Sequence, residues 1–389
     1  MSWRFALVLA ALLSGAPAEA QTGSVKISDM ADELQRIQTR IAYGDKAAYS
    51  AQLAQLKAMG AAIAAAKPKT WQDKRETGSL IIYVLSGGSL AEVAPLLKND
   101  ALVDSERALA RGAIAYITSH EADALRLLSA TDLGALDLRL AGQIGFARSV
   151  LATTRDPKAA VELLDWARLL APGGLVEEAA LRREIAILAE APDAPRAARL
   201  TRQYANRFGA SLYAPDFFRE LAGQIGRNGL AEEPANYELF ARAASALPAD
   251  GRLDFLLTLA KAAIVNRRFV AASAAASEAL RSAPPNSPAE ARARIYLNAA
   301  RIFSDDYDAA LANLQGFANS RLDRSDAALL AAFRDAAAQF RLAPSPAAVE
   351  AQAASAGNEK AEGAAETIRD AEVALERTAG VAAAAGGAP

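Results

Sequence analysis

The sequence predicts an all-α protein, built as an irregular solenoid of helical hairpins and ending in a disordered C-terminal tail. Three observations predict it. Hydrophobic residues make up 52% of the 389 positions but aromatics only 6%, because the apolar content is mostly alanine and leucine, the strongest helix formers. No stretch sustains the period-two alternation of a half-buried strand. Two distant segments repeat one spacing of small residues closed by a proline, the mark of stacked helical pairs.

Residues 1–20 have the three parts of a secretory signal. Arg4 is the basic start, Phe5 to Leu13 form an apolar run, and Ser14, Gly15 and Pro17 break it before Ala18-Glu19-Ala20. Cleavage before Gln21 follows from the small-x-small rule. The run is about half the ~20 residues needed to cross a bilayer, and the chain has no cysteine, which removes a lipobox. The expectation is a soluble protein of the periplasm, with no membrane insertion after the signal is removed. Without cysteine there are no disulfides either, so packing alone must hold the fold.

Residues 21–104 read as an N-terminal helical region. A first helix starts at Ser28 or Asp29 and carries Leu34, Ile37 and Ile41 at helical intervals until Gly44-Asp45. A second covers Ala47 to Ala66 and stops before Pro68. Thr77 to Leu85 is a third, closed by Ser86-Gly87-Gly88-Ser89. Those glycines serve to end one helix, with Ser89 free to cap the next. A phosphate loop would need a following Gly-Lys-Ser/Thr and a preceding strand, and has neither.

The repeats span residues 105–343. Ala160, Leu164, Ala167 and Pro172 share their relative spacing with Ala272, Ala276, Ala279 and Pro284. The pattern resembles the second helix and terminal proline of a tetratricopeptide repeat, where small residues let paired helices touch and proline stops the helix. Gly112 with Ala124, Asp306-Tyr307 with Ala310 and Leu314, and the fainter Arg196–Phe208 segment offer weaker copies. The two best copies lie 112 residues apart, not a multiple of the usual period of about 34. An insertion or a longer helical pair must intervene. Residues 344–389 are mostly Ala, Glu, Gly and Ser, too poor in large aliphatics to bury a core. They read as a low-complexity disordered tail.

Chemistry is sparse. His120 is the chain's one histidine and sits at a predicted turn with no triad partners around it. One histidine and no cysteine leave a metal site only carboxylates, so no metal and no cofactor are expected. Asp305-Asp306-Tyr307-Asp308 lacks the Gly and bidentate Glu of a calcium loop, and aspartates at a helix start serve as caps. Glu177-Glu178 fall in a first helical turn, where the dipole favours them. A formal net charge of −2 with mixed signs gives no nucleic-acid arm. Arg182, Arg183, Arg199, Arg202 and Arg207, interleaved with Tyr204, Phe208 and Tyr213, have the composition of a protein-binding hot spot.

Three blocks carry a resemblance: Ile81 to Ser89, Ala167 to Arg183, and Gln203 to Tyr213. They are similar to MotC, the periplasmic motility proteins of rhizobia and related α-proteobacteria, and the likeness spans most of residues 28–342. The resemblance implies a non-enzymatic role in flagellar rotation. It also implies binding to the periplasmic part of the stator protein MotB as a chaperone or activator. A general periplasmic adaptor in secretion or cell-wall remodelling is the alternative that the residues alone leave open, with a helical-solenoid hydrolase behind it.

Overall fold

Small residues at helix contacts let neighbouring axes approach closely, and the computed structural model of the chain is built on that principle. It describes residues 26–98, 101–302, 307–317 and 322–342, with side chains as far as Asp335. Among these there are seventeen α-helices, two short 3-10 turns and no strand. The signal segment, the C-terminal tail and Asp305-Asp306 lie outside the described residues.

The N-terminal helices are α1 (Ile27–Ala42), α2 (Lys46–Ala65), α3 (Lys74–Leu85) and the short α4 (Ala94–Lys98). The first three match the expected segments to within a few residues. Helix α3 ends as its glycines require. Gly87 adopts φ +90°, the Gly88 N–H donates to the Tyr83 carbonyl at 2.9 Å, and the Gly87 N–H donates to that of Val84 at 3.1 Å. This is a Schellman closure. Ser89 Oγ accepts the Ala91 N–H at 3.3 Å, although the next helix starts only at Ala94.

Six hairpins and a final helix follow. They are α5 (Asp104–Ile117) with α6 (Glu121–Ser129), α7 (Leu138–Ala152) with α8 (Pro157–Leu170), and α9 (Leu175–Glu190) with α10 (Ala194–Phe208). Then come α11 (Ala214–Asn228) with α12 (Pro234–Ala244), α13 (Ala249–Val265) with α14 (Phe269–Ser282), α15 (Pro288–Arg301) with α16 (Tyr307–Gln315), and α17 (Arg324–Leu342). First helices therefore start at 104, 138, 175, 214, 249, 288 and 324, at intervals of 34 to 39 residues. This explains the 112-residue separation. The two clearest copies are α8 and α14, three hairpins apart, and each hairpin is slightly longer than the usual period. The expected insertion is thus spread over three stretched repeats.

The spacing residues do what their pattern required. Ala160, Leu164 and Ala167 on α8 and Ala272, Ala276 and Ala279 on α14 are all fully buried. Helices α8 and α14 each end two residues before their proline. In α5, Gly112 faces α6 so closely that an added Cβ would lie 2.7 Å from Leu128 Cδ2. Ala310 and Leu314 are buried on α16. One hairpin departs from the scheme: α12 leans on α10 and α14, while α11 packs directly on α13.

One core runs from Ala160 to Phe333, and a second from Ile27 to Leu151. The N-terminal helices are not a separate lobe. Helix α3 packs on α5 and α7, and α1 reaches past it to α9. Asp32 on α1 joins Arg75 of α3 at 3.1 Å and also pairs with Arg139 of α7. The first turn of α1 lacks a cap of its own, and buried Glu76 of α3 supplies one by accepting the Ser28 N–H at 3.1 Å and its hydroxyl at 2.6 Å. At the other end of α1, Ala42 joins the larger core, and Tyr43 meets Phe208 with ring centroids 5.6 Å apart.

Candidate protein-binding groove

Helix α9 carries three glutamates that look like surface charges in the sequence and are buried in the structure: Glu177, Glu178 and Glu184. Each is held. Glu177 accepts the Gly173 N–H at 2.6 Å, closing the helix start, and pairs with Arg207. Glu178 accepts the Tyr204 hydroxyl at 2.6 Å, the Ser211 hydroxyl at 3.1 Å and Arg182 Nη2 at 3.0 Å. Glu184 accepts Arg168 at 2.7 Å and Arg196 at 2.8 Å. Burial still raises the Glu184 carboxyl above its ordinary value, outweighing the two guanidinium groups. Arg168 also donates to Gln203 at 3.2 Å. Two of the three blocks that carry the family resemblance therefore interlock, Glu177 and Glu178 of one meeting Arg207, Tyr204 and Ser211 of the other.

The eight predicted binding residues divide accordingly. Tyr204 and Phe208 are 0% exposed; Tyr204 packs with Phe208, Phe217 and Phe218, the Tyr204 and Phe217 rings meeting edge-on at 4.7 Å. They present no area to a partner, because alternating aromatic and charged residues on α10 place the rings inside and the charges outside. Burial and the Glu178 charge push the Tyr204 phenol far above its ordinary value. Arg199, Arg202 and Arg207 are exposed on α10. Arg182 and Arg183 lie on α9, and Tyr213 in the turn before α11. The Arg182 guanidinium stacks 5.0 Å above the Tyr213 ring, a cation–π contact. Arg183 donates to the Thr153 hydroxyl through Nε at 3.2 Å and Nη2 at 3.1 Å. Among the described residues no carboxylate pairs with it, and burial lowers its pKa.

Arg182 and Arg183 open onto a groove along the first helices of successive hairpins. One part is a cavity of about 230 Å³ between α1, α2, α3, α5, α7 and α9, walled by Leu85, Tyr116, Phe146, Leu175 and Val176. The other part, about 260 Å³, lies between α7, α9 and α11 and contains Arg182, Arg183, Phe217, Glu220 and Gln224. Phe146 and Ala179 line both. Three glutamines border the first of these parts. Gln38 donates to Ser86 Oγ at 3.2 Å, whereas the buried Oε1 atoms of Gln52 and Gln143 have no hydrogen-bond partner.

The sequence reading missed Gln143, Phe146 and Tyr116. A signal for Gln143 exists: it is the one uncharged polar residue within Leu140-Ala-Gly-Gln-Ile-Gly-Phe-Ala147, an otherwise apolar and glycine helix segment. Gly142 and Gly145 on that segment face α8, which turns Gln143 and Phe146 toward the groove.

The remaining candidates are structural. His120 is exposed in the α5–α6 turn, where Nδ1 lies 2.9 Å from Thr118 Oγ1. Ser119 beside it takes φ +60°. Among the described residues no three His, Asp or Glu side chains converge as metal ligands, and no helix is long and apolar enough to cross a membrane.

Comparison with known proteins agrees with the resemblance read from the three blocks. A family model described as "Chemotaxis protein MotC" matches residues 1–386. A protein of that name from Rhizobium meliloti (strain 1021) is 27% identical over 324 residues, covering 82% of this chain and 74% of the relative. No solved structure matches. The chain belongs to the MotC family of chemotaxis proteins and is a motility-related protein.

Proposed function

We propose that the chain is a non-enzymatic accessory of flagellar rotation that works in the periplasm and binds the periplasmic part of the stator protein MotB, as its chaperone or activator. The observation that carries this reading is the groove on the α7–α9–α11 face, where Arg182 and Arg183 supply charged anchors beside Phe146 and Phe217. Stacked hairpins provide such surfaces as a by-product of their curvature. A non-enzymatic role suits the buried carboxylates. Glu177, Glu178 and Glu184 are each paired with an arginine within the fold and none lines the groove, whereas a general acid or base must reach its substrate.

The test has two parts. The mature protein, used as bait on a periplasmic extract, is expected to recover MotB, and a deletion strain is expected to swim poorly while still assembling flagella. Normal swimming of the deletion strain rules out the motility role. Poor swimming without MotB recovery leaves the role standing and removes the partner.

A further inference from the structure

We infer that the groove recognises an extended polypeptide segment of the partner in which an apolar side chain and an acidic side chain are two residues apart. The inference rests on the proposed partner-binding role and adds the chemistry of what is bound.

Two features of the groove are incomplete within the fold. Gln143 is only 7% exposed, yet its Oε1 has no partner, and neither has the buried Oε1 of Gln52. Both belong to side chains that border the same cavity. A buried acceptor left unpaired costs free energy, and two such acceptors at one cavity call for N–H donors arriving from outside. Peptide N–H groups are such donors, and the aliphatic and aromatic walls suit the side chain between them. The second feature is Arg183. It is a half-buried cation with only a neutral hydroxyl as hydrogen-bond partner, and no described carboxylate offsets its desolvation. Charge complementarity therefore asks for an acidic group.

The spacing follows from the helix. Ala179 forms part of the cavity and Arg183 lies one turn further along α9, a rise of about 6 Å. An extended chain covers that distance in about two residues. Tyr116, in the wall of the cavity, is close enough to Arg183 for the guanidinium to oppose the rise in its phenol pKa, so cavity and charge adjoin. Glu220, on the α11 side of the groove, disfavours a second acidic group there and makes a single acid the better match.

The experiment uses the full mature chain and a random peptide library displayed on phage, so it does not presuppose MotB. Selection is expected to enrich peptides with an apolar–x–acidic spacing. A synthetic peptide of that pattern should bind at least about tenfold more weakly to Arg183→Gln, the loss expected for a charge-assisted contact. It should also bind more weakly to Gln143→Leu, a variant whose melting temperature should equal or exceed the wild type because an unpaired buried acceptor is gone. Trp166→Ala, exposed on α8 and outside both parts of the groove, should bind normally. Enrichment of no spacing overturns the inference, as does undiminished binding by both groove variants. Preferential binding of a peptide of residues 364–374, which holds Ile368 and Asp370 at this spacing, assigns the groove to the chain's own tail and overturns the partner assignment. MotB recovery without motif selection sinks this inference alone, and motif selection without MotB recovery sinks the proposed partner alone.

Discussion

Tyr204 shows why the residue scale was the hardest to read. In the sequence it is an aromatic among arginines, the composition of an interface. In the structure its ring fills the core and its hydroxyl satisfies Glu178, which would otherwise be a buried, under-bonded charge. The same ambiguity hides Glu177, Glu178 and Glu184, since sequence alone does not tell a paired buried glutamate from a solvated one. The pairing is testable. Tyr204→Phe keeps the ring and removes one donor to a charged acceptor, so it should lower stability by about 1.5–3 kcal/mol in urea unfolding. Recovery of the partner should not change, since Tyr204 exposes no surface. A binding defect at full stability would return Tyr204 to the interface.

At the scale of elements, the second helices of the hairpins were legible and the first helices were not. Helices α8 and α14 each bury one stripe, with Ala160, Leu164 and Ala167 on α8 and alanines alone on α14, which leaves a regular spacing in the sequence. Helices α7, α9 and α13 are buried on several faces, so their apolar residues follow no single period. The glycines record what the period cannot. At Gly226 a Cβ would lie 2.8 Å from the Leu259 carbonyl oxygen and 2.9 Å from Ala263 N, both backbone atoms of α13. At Gly145 the nearest atoms are at 3.6 Å or more, an ordinary contact. Gly226→Ala should therefore destabilise the protein by about 1–3 kcal/mol by forcing α11 and α13 apart. Gly145→Ala should be neutral or stabilising by up to about 1 kcal/mol through helix propensity. Thermal melts of the two variants side by side decide this, and an equal loss in both would mean that the α11–α13 crossing is not the tight contact.

For the whole molecule, the sequence indicated a row of hairpins but not that the row folds back on its own beginning. Stacked repeats interact mainly with nearest neighbours. Here α1 breaks that rule by touching α3, α9 and the turn after α10. The seam depends on Gly44, which takes φ +91° where a Cβ would collide with the Ala210 carbonyl. Gly44→Ala combines backbone strain with a clash and should cost about 2 kcal/mol or more. Hydrogen exchange should then accelerate in α1 and in the Phe208–Ala214 turn together, while α13 to α15 stay protected. Exchange confined to α1 would show that the seam carries no coupling.

The position of α1 also sets an order of events. A chain made or threaded from its N-terminus delivers α1 first, and α2 adds only Ala48 and Ala51 to the cluster around Ile37 and Ile41, which Leu175 of α9 and the Leu212–Tyr213 turn complete. Even the nearer clasp, between Asp32 and Arg139, closes a loop of 107 residues. The apolar end of α1 therefore waits, only partly covered, until more than half of the chain has arrived, and an otherwise locally wired protein acquires one slow, long-range step. That waiting interval is when an unfinished molecule is most open to capture by other unfolded chains, and most in need of a companion of its own.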